Sequence, residues 1–343
     1  MEVWKYESRH SKSHIPLPNF HTFILPYLLL MNLCLKQLVL VCNQSFTMTD
    51  RRSFIRNSGL LAMSIPFAKG KFTEELNSRK LRSIGIQLYM VREDMKKDPA
   101  GTLNRLGRMG YTQIESFDGD SGLFWGKSNK EFNSMAKQNG LSFVSSHYAG
   151  DNAGFEKTAA LGAEIGMKYL IYPWKGPQKS IDDFKKIAEE FNGYGSICKK
   201  HGLRFAYHPH DYPYKKVNGQ LPIDVLLDHT DPELVDYEMD IYYTVTEGLD
   251  PEYYIKKYKP RFRLCHMRDV MKVRLPEGSK EESACDLGNG IINYRQLLST
   301  ALDNGMQYFF VEQSRLFNET ALQSAGVNAD YLMFLKLDKK QMD

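Results

Sequence analysis

Four residues able to ligate a divalent cation, His208, Asp240, His266 and Glu312, stand at or beside the ends of short apolar runs: Arg204–His208, Leu234–Ile241, Phe262–Met267 and Tyr308–Glu312. Two imidazoles and two carboxylates suit a borderline-hard ion such as Mn²⁺, Co²⁺, Zn²⁺ or Mg²⁺, and such a set leaves positions open for substrate oxygens. Singly, each has a structural explanation. A histidine at a strand end is commonly a hydrogen-bonded support, and Asp240 or Glu312 could cap a following helix. Their recurrence at the same place in four successive runs favours a single metal site. Glu238 shares the face of Asp240 and adds a further, awkward charge to the interior.

Four more runs precede these, Ile84–Tyr89, Thr112–Ser116, Ser142–His147 and Tyr169–Pro173, and amphipathic stretches separate all eight. In the stretch 182–201, Phe184, Ile187, Ala188, Phe191 and Ile197 fall near helical spacing. Gly110, Gly140, Gly166, Gly202 and Gly305 each stand just before a run, where helices end ahead of parallel strands. Eight such units predict an α/β protein, a (β/α)8 TIM barrel over residues 80–338, whose reactive groups gather at the C-terminal ends of the strands. An open dinucleotide-binding sheet is disfavoured, because no GxGxxG follows the first run. The segment 270–289, long and charged, reads as a solvated surface loop.

The formal charge of +4 is concentrated at the start: residues 1–69 hold eight Lys/Arg against three Asp/Glu, which leaves the remainder one charge negative. A near-neutral body lacks the basic footprint that phosphate-backbone binding needs, so no nucleic-acid partner is expected. The five cysteines (Cys34, Cys42, Cys198, Cys265, Cys285) show no CxxC spacing, which argues against a disulfide framework or a cysteine zinc site. Residues 48–70, MTDRRSFIRNSGLLAMSIPFAKG, carry paired Arg51 and Arg52 ahead of a short apolar run, as a twin-arginine-type export signal does. The expected location is periplasmic or otherwise exported. Residues 1–47 include a weakly apolar stretch, 23–42, broken by Pro26 and Lys36, and read best as an over-extended start. Contact with a membrane is then expected only through the export signal.

Six ordered stretches carry a family resemblance: GIQLYMVRED (85–94), FAYHPHDYPY (205–214), TDPELVDYEMDIYY (230–243), LCHMRD (264–269), DLGNGIINY (286–294) and FVEQS (310–314). Together they resemble the sugar phosphate isomerase/epimerase family of xylose isomerase-like TIM barrels, across essentially all of residues 82–338. The resemblance implies one divalent ion held at the positions of His208, Asp240, His266 and Glu312. Family epimerases carry Glu at the His208 position. The most similar subfamily reads HNHDFEF where this chain has HPHDYPY, so Pro209 and Pro213 replace an Asn and a Glu; Arg268 stands for the usual Lys and Tyr243 for the usual Trp.

Around that ion, Gln87, Tyr89, Glu115, His147, Trp174, His210 and Arg268 are the residues expected to line a cup for a small sugar. Aromatics beside polar groups suit a sugar's apolar faces and hydroxyls. Glu312 is the first candidate base, with His147 or His210 as second acid/base. The expected activity is isomerisation or epimerisation of a sugar or keto-sugar through proton abstraction beside a carbonyl. Elimination from a 3-keto-glycoside, as some relatives perform, a metal-dependent nuclease and a non-catalytic sugar-binding barrel are the alternatives. An exported protein meets few phosphorylated sugars, and no GxxxxGK[ST] loop is present to hold a phosphate. If the export reading holds, the mature chain from its native host starts near residues 68–72. Mass spectrometry that recovers peptides from residues 1–40 would overturn it.

Overall fold

The computed structural model describes residues 79–272, 283–313 and 320–338. The segments 1–47 and 48–70, read above as an extended start and an export signal, lie outside them. No helix among the described residues is long and apolar enough to cross a membrane.

Eight parallel strands close a barrel: β1 (Gly85–Gln87), β2 (Gln113–Phe117), β3 (Ser142–His147), β4 (Tyr169–Tyr172), β5 (Arg204–Tyr207), β6 (Val235–Asp240), β7 (Phe262–Met267) and, after a small hairpin, β10 (Tyr308–Val311). Each matches one of the eight expected runs to within two residues at either end. β1 stops earlier than expected. The Gln87 side chain accepts the backbone N–H of Tyr89, and the chain turns into a short 3-10 segment at Leu88–Val91, which carries Tyr89 out of the sheet. The five αβ glycines all take positive φ, the left-handed conformation in which a helix ends without a Cβ penalty.

Strand alternation builds the interior in layers. At the bottom, Arg204 and Tyr169 hold the buried Asp236. Above them lies an apolar cluster that includes Ile171, Ala206, Leu264 and Phe310. The next residues upward along the same rows are Glu238 then Asp240, His266 then Arg268, His208, and Glu312. A single period-2 pattern therefore places apolar packing in the barrel's waist and ligating groups at its mouth. The larger core lies between barrel and helices, where Phe155, Phe184 and Phe191 are fully covered.

The segment 270–289 is not wholly a surface loop. β8 (Asp269–Val270) and β9 (Ala284–Cys285) pair as an antiparallel stem, with Val270, Ala284, Cys285 and Leu287 buried. The Asp269 carboxylate accepts backbone N–H groups from Val270, Gly288, Gly290 and Ile292 at 2.8–3.1 Å, so the DLGNG stretch wraps around one side chain. A Cβ at Gly290 would lie 2.1 Å from that carboxylate. Residues 273–282 lie outside the described part.

The long helix 181–200 contains two glycines with opposite demands. A Cβ on Gly195 would meet the Leu234 carbonyl oxygen at 2.6 Å, whereas around Gly193 there is nothing within 4 Å. Gly195→Ala should therefore lower stability by about 1–3 kcal/mol, overpacking outweighing the gain in helix propensity. Gly193→Ala should raise it by about 0.5–1 kcal/mol. Urea denaturation of both variants measures this, and equal shifts of the same sign would refute it.

Candidate metal centre

The mouth of the barrel brings together residues from all eight strands or the positions just past their C-terminal ends. Asp240 closes β6 and is paired in register with His266 of β7, which in turn faces Phe310 of β10, two residues before Glu312. Adjacent strands thus bring the ligating atoms of Asp240, His266 and Glu312 within 4.8 Å of one another. His208, one residue past β5, presents Nε2 at 3.9 Å from Asp240 Oδ2. The four expected ligands therefore do share one place, with His208 at its edge.

The imidazoles of His266 and His208 each have one nitrogen turned mouthward and one turned into the barrel. For His266, Nδ1 is 3.2 Å from Glu312 Oε2, while Nε2 is 2.7 Å from Glu115 Oε1. For His208, Nε2 faces Asp240, while Nδ1 lies 3.2 Å from Glu238 Oε2. His147, at the end of β3, contacts Glu238 at 2.9 Å and Glu115 at 3.1 Å. Glu238, read from sequence only as an awkward extra charge, is thus a central member. Its place two residues before Asp240 on an inward row was the visible signal; that its partners would be imidazoles was not. A second grouping of ligating atoms, His147, His208, Glu238 and His266, lies in this inner layer.

Gln87 and Glu115 are buried beneath the mouth. Gln87 Nε2 donates to Glu115 Oε1 at 2.8 Å, and Ser145, which sequence reasoning passed over, donates to Glu115 Oε2 at 2.6 Å. They support the site from below. Arg268, just past the end of β7, lies at the mouth with its guanidinium 4.7 Å from the ring centres of both Tyr242 and Tyr243, 2.6 Å from Asp240 and 3.9 Å from Glu312. The Tyr294 hydroxyl holds its carbonyl at 2.8 Å. At the rim, Tyr89 and Trp174 are 43% and 36% exposed, the positions expected of aromatics that meet a substrate. Trp174 stands edge-on to His210 (5.0 Å) and Tyr212 (4.9 Å).

Four carboxylates meet here with one guanidinium, and burial alone would push every one of these acids toward its neutral form. For Glu115 the charges and hydrogen bonds of His147 and His266 overcome burial and hold it well below the usual range. Glu312 is likewise held low against burial, by His266 and then Arg268. Glu238 is pushed up to about 7 by burial and by the charge of Glu115. His147 rises to about 9 although burial opposes it, because Glu115 and Glu238 face it; His266 rises for the same kind of reason. His208 is driven down by burial and by its cationic neighbours, and His210 to about 4 chiefly by burial, so both keep a lone pair for coordination or proton transfer.

A divalent ion fits this set. Its donors are oxygen and imidazole nitrogen, the buried carboxylates favour a cation, and His210 Nδ1 at the mouth, like His208 Nδ1 and Glu238 Oε1 in the inner layer, is buried without a hydrogen-bond partner among the described residues. Purified chain should accordingly take up about one Mn²⁺ or Co²⁺. Its unfolding free energy should rise by about 2.7 kcal/mol at a free-ion concentration one hundred times Kd. Thermal shift and metal analysis with and without chelator measure this, and His266→Ala and Asp240→Ala should abolish most of the shift. Stoichiometric metal in both variants would exclude the site.

A family model described as xylose isomerase-like TIM barrel matches residues 103–327. Among solved structures, a sugar phosphate isomerase/epimerase from Parabacteroides distasonis superposes with a TM-score of 0.63 at 27% identity, covering 74% of this chain and 98% of that one. A xylose isomerase-like TIM barrel protein from Mycobacterium smegmatis in complex with magnesium has a TM-score of 0.53 at 16% identity, over 70% of this chain and 90% of that one. Inosose dehydratase from Bacillus anthracis is 26% identical over 149 residues, 40% of this chain and 49% of that protein. The chain therefore spans about half the length of the curated relatives it matches.

Proposed function

The chain belongs to the xylose isomerase-like TIM-barrel family, and we propose that it is a divalent-metal-dependent isomerase or epimerase that removes a proton beside the carbonyl of a sugar or keto-sugar. The observation that carries this reading is the convergence of Asp240, His266 and Glu312 at the barrel mouth, with His208 at its edge. The magnesium complex of the Mycobacterium smegmatis barrel accords with a divalent ion in this fold. A bound ion would supply Lewis-acid polarisation of a carbonyl and its neighbouring hydroxyl, which acidifies the carbon beside them.

The chain's own groups do the rest. Glu312, the least covered of the four carboxylates, has an oxygen that can reach a substrate carbon and accept its proton. His147 and His210 stand on the opposite side of the barrel from Glu312, placed to return a proton to another carbon or another face. Arg268, fixed between two tyrosines, offers a permanent positive charge next to Asp240 and Glu312 and stabilises negative charge that develops on substrate oxygen. Tyr89 and Trp174 give flat apolar surfaces at the rim for the sugar's C–H faces.

The similarity to inosose dehydratase favours a second reading in the same site, elimination. Its first step is identical: Glu312 takes the proton from the carbon beside the carbonyl. The electron pair then expels a hydroxyl from the next carbon, and an imidazole proton leaves with it as water.

Both readings require exchange at the carbon next to the carbonyl. Incubation in D₂O with an accepted ketose or keto-glycoside should place deuterium there, and chelation should stop it. Glu312→Gln, which preserves shape, should reduce exchange by about 10²-fold or more, with metal content measured on the same sample. Wild-type, metal-replete chain that binds such sugars yet gives neither exchange nor product across a broad panel would exclude the enzyme and leave a sugar-binding barrel.

A further inference from the structure

We propose that Glu238 is a positioning residue, a buried carboxylate that sets where the imidazoles of His147 and His208 stand beneath the barrel mouth; this rests on the metal reading of the site. Its Oε2 is a common point for three imidazoles, with His147 Nε2 at 2.9 Å, His208 Nδ1 at 3.2 Å and His266 Nε2 at 3.3 Å. All of its ion-pair partners among the described residues are histidines. A carboxylate kept merely for stability would be expected to meet Arg or Lys, and an apolar side chain of similar volume would avoid the desolvation cost altogether.

The backbone is arranged for this contact. Pairing between β6 and β7 runs Tyr237 with Phe262 and then Glu238 with Leu264, so Arg263 is skipped and the register shifts at Glu238 itself. The same irregularity occurs between β2 and β3: Ile114 pairs with Phe143 and Glu115 with Ser145, skipping Val144. Bulges re-aim side chains near functional sites. Here each falls immediately before an inward carboxylate that is hydrogen-bonded to an imidazole, Glu115 to His266 and Glu238 to His147. Glu238 Oε2 packs 3.2 Å from Nδ1 of His208, on the side of the ring away from Asp240, which Nε2 approaches at 3.9 Å. Outer carboxylates behind a ligating histidine help to fix its ring orientation.

Co²⁺ binding to the full purified chain tests this, through affinity, stoichiometry and the visible absorption of the bound ion. Glu238→Ala should weaken Co²⁺ binding by about 10- to 100-fold and alter the spectrum, with one ion still bound at saturation. Glu238→Gln keeps one acceptor oxygen and nearly the same volume, so it should fold even if the alanine variant does not, and should fall between. A lowered melting temperature in chelator with unchanged affinity and spectrum would overturn the positioning role and leave a structural one. A second Co²⁺ bound by wild type and lost in Glu238→Ala would overturn it too, because Glu238 would then be a ligand of the inner grouping. Wild-type chain that binds no divalent ion would remove the metal reading itself, an outcome separable from both.

Discussion

Four carboxylates, Glu115, Glu238, Asp240 and Glu312, converge inside a barrel that offers them a single guanidinium. Uncompensated, that charge would cost several kcal/mol per ion, so much of the mouth can be understood as compensation. The acids that face His147 and His266 draw both imidazoles toward their charged form. A divalent cation would take over that task more directly, since it can stand within bonding distance of several oxygens at once. The same demand explains why His208 remains neutral. It is surrounded by cationic neighbours and fully buried, so its useful contribution is a lone pair.

The barrel meets this demand through the period-2 rule of its strands. Rows that begin with ion pairs at the bottom and pass through an apolar waist end in ligands at the top, so the closed sheet that excludes water from below also aims the reactive groups upward. Two departures from regular pairing refine the aim, at Glu115 and at Glu238. Beyond the strand ends, Asp269 gathers four backbone N–H groups and so ties the DLGNG stretch to the residue that follows Arg268. Arg268 itself is held through its carbonyl by Tyr294 and through its guanidinium by Asp240 and the two tyrosines.

Much of this was legible from the chain alone because it follows from short-range pattern. The eight runs and their glycine stops reflect strand burial and helix termination, both local, and the ends of the runs pointed directly to His208, Asp240, His266 and Glu312. What pattern could not show was partnership across the barrel. Gln87 and Glu115 were expected to touch substrate, but they lie 28 residues apart on neighbouring strands and bond to each other beneath the site. Glu238 looked like a liability because its three histidines come from β3, β5 and β7, a convergence that only the closed barrel creates. The Asp269 hairpin escaped notice for a related reason: its stem is two residues wide, too short for alternation to register.

Isomerisation, epimerisation and elimination begin with the same proton leaving the same carbon, so the groups that ligate and enolise need not differ between them. The outcome is decided by where the second acid stands relative to the substrate. His147 is deep, bonded to Glu238 and Glu115, whereas His210 sits higher, between Trp174 and Tyr243, with its Nδ1 without a hydrogen-bond partner among the described residues. Protons exchanged at the His147 level and at the His210 level would therefore meet different atoms of a bound sugar. Tyr89 and Trp174 stand exposed at the rim, so a ring seated against them would be held at a set depth relative to the two imidazoles.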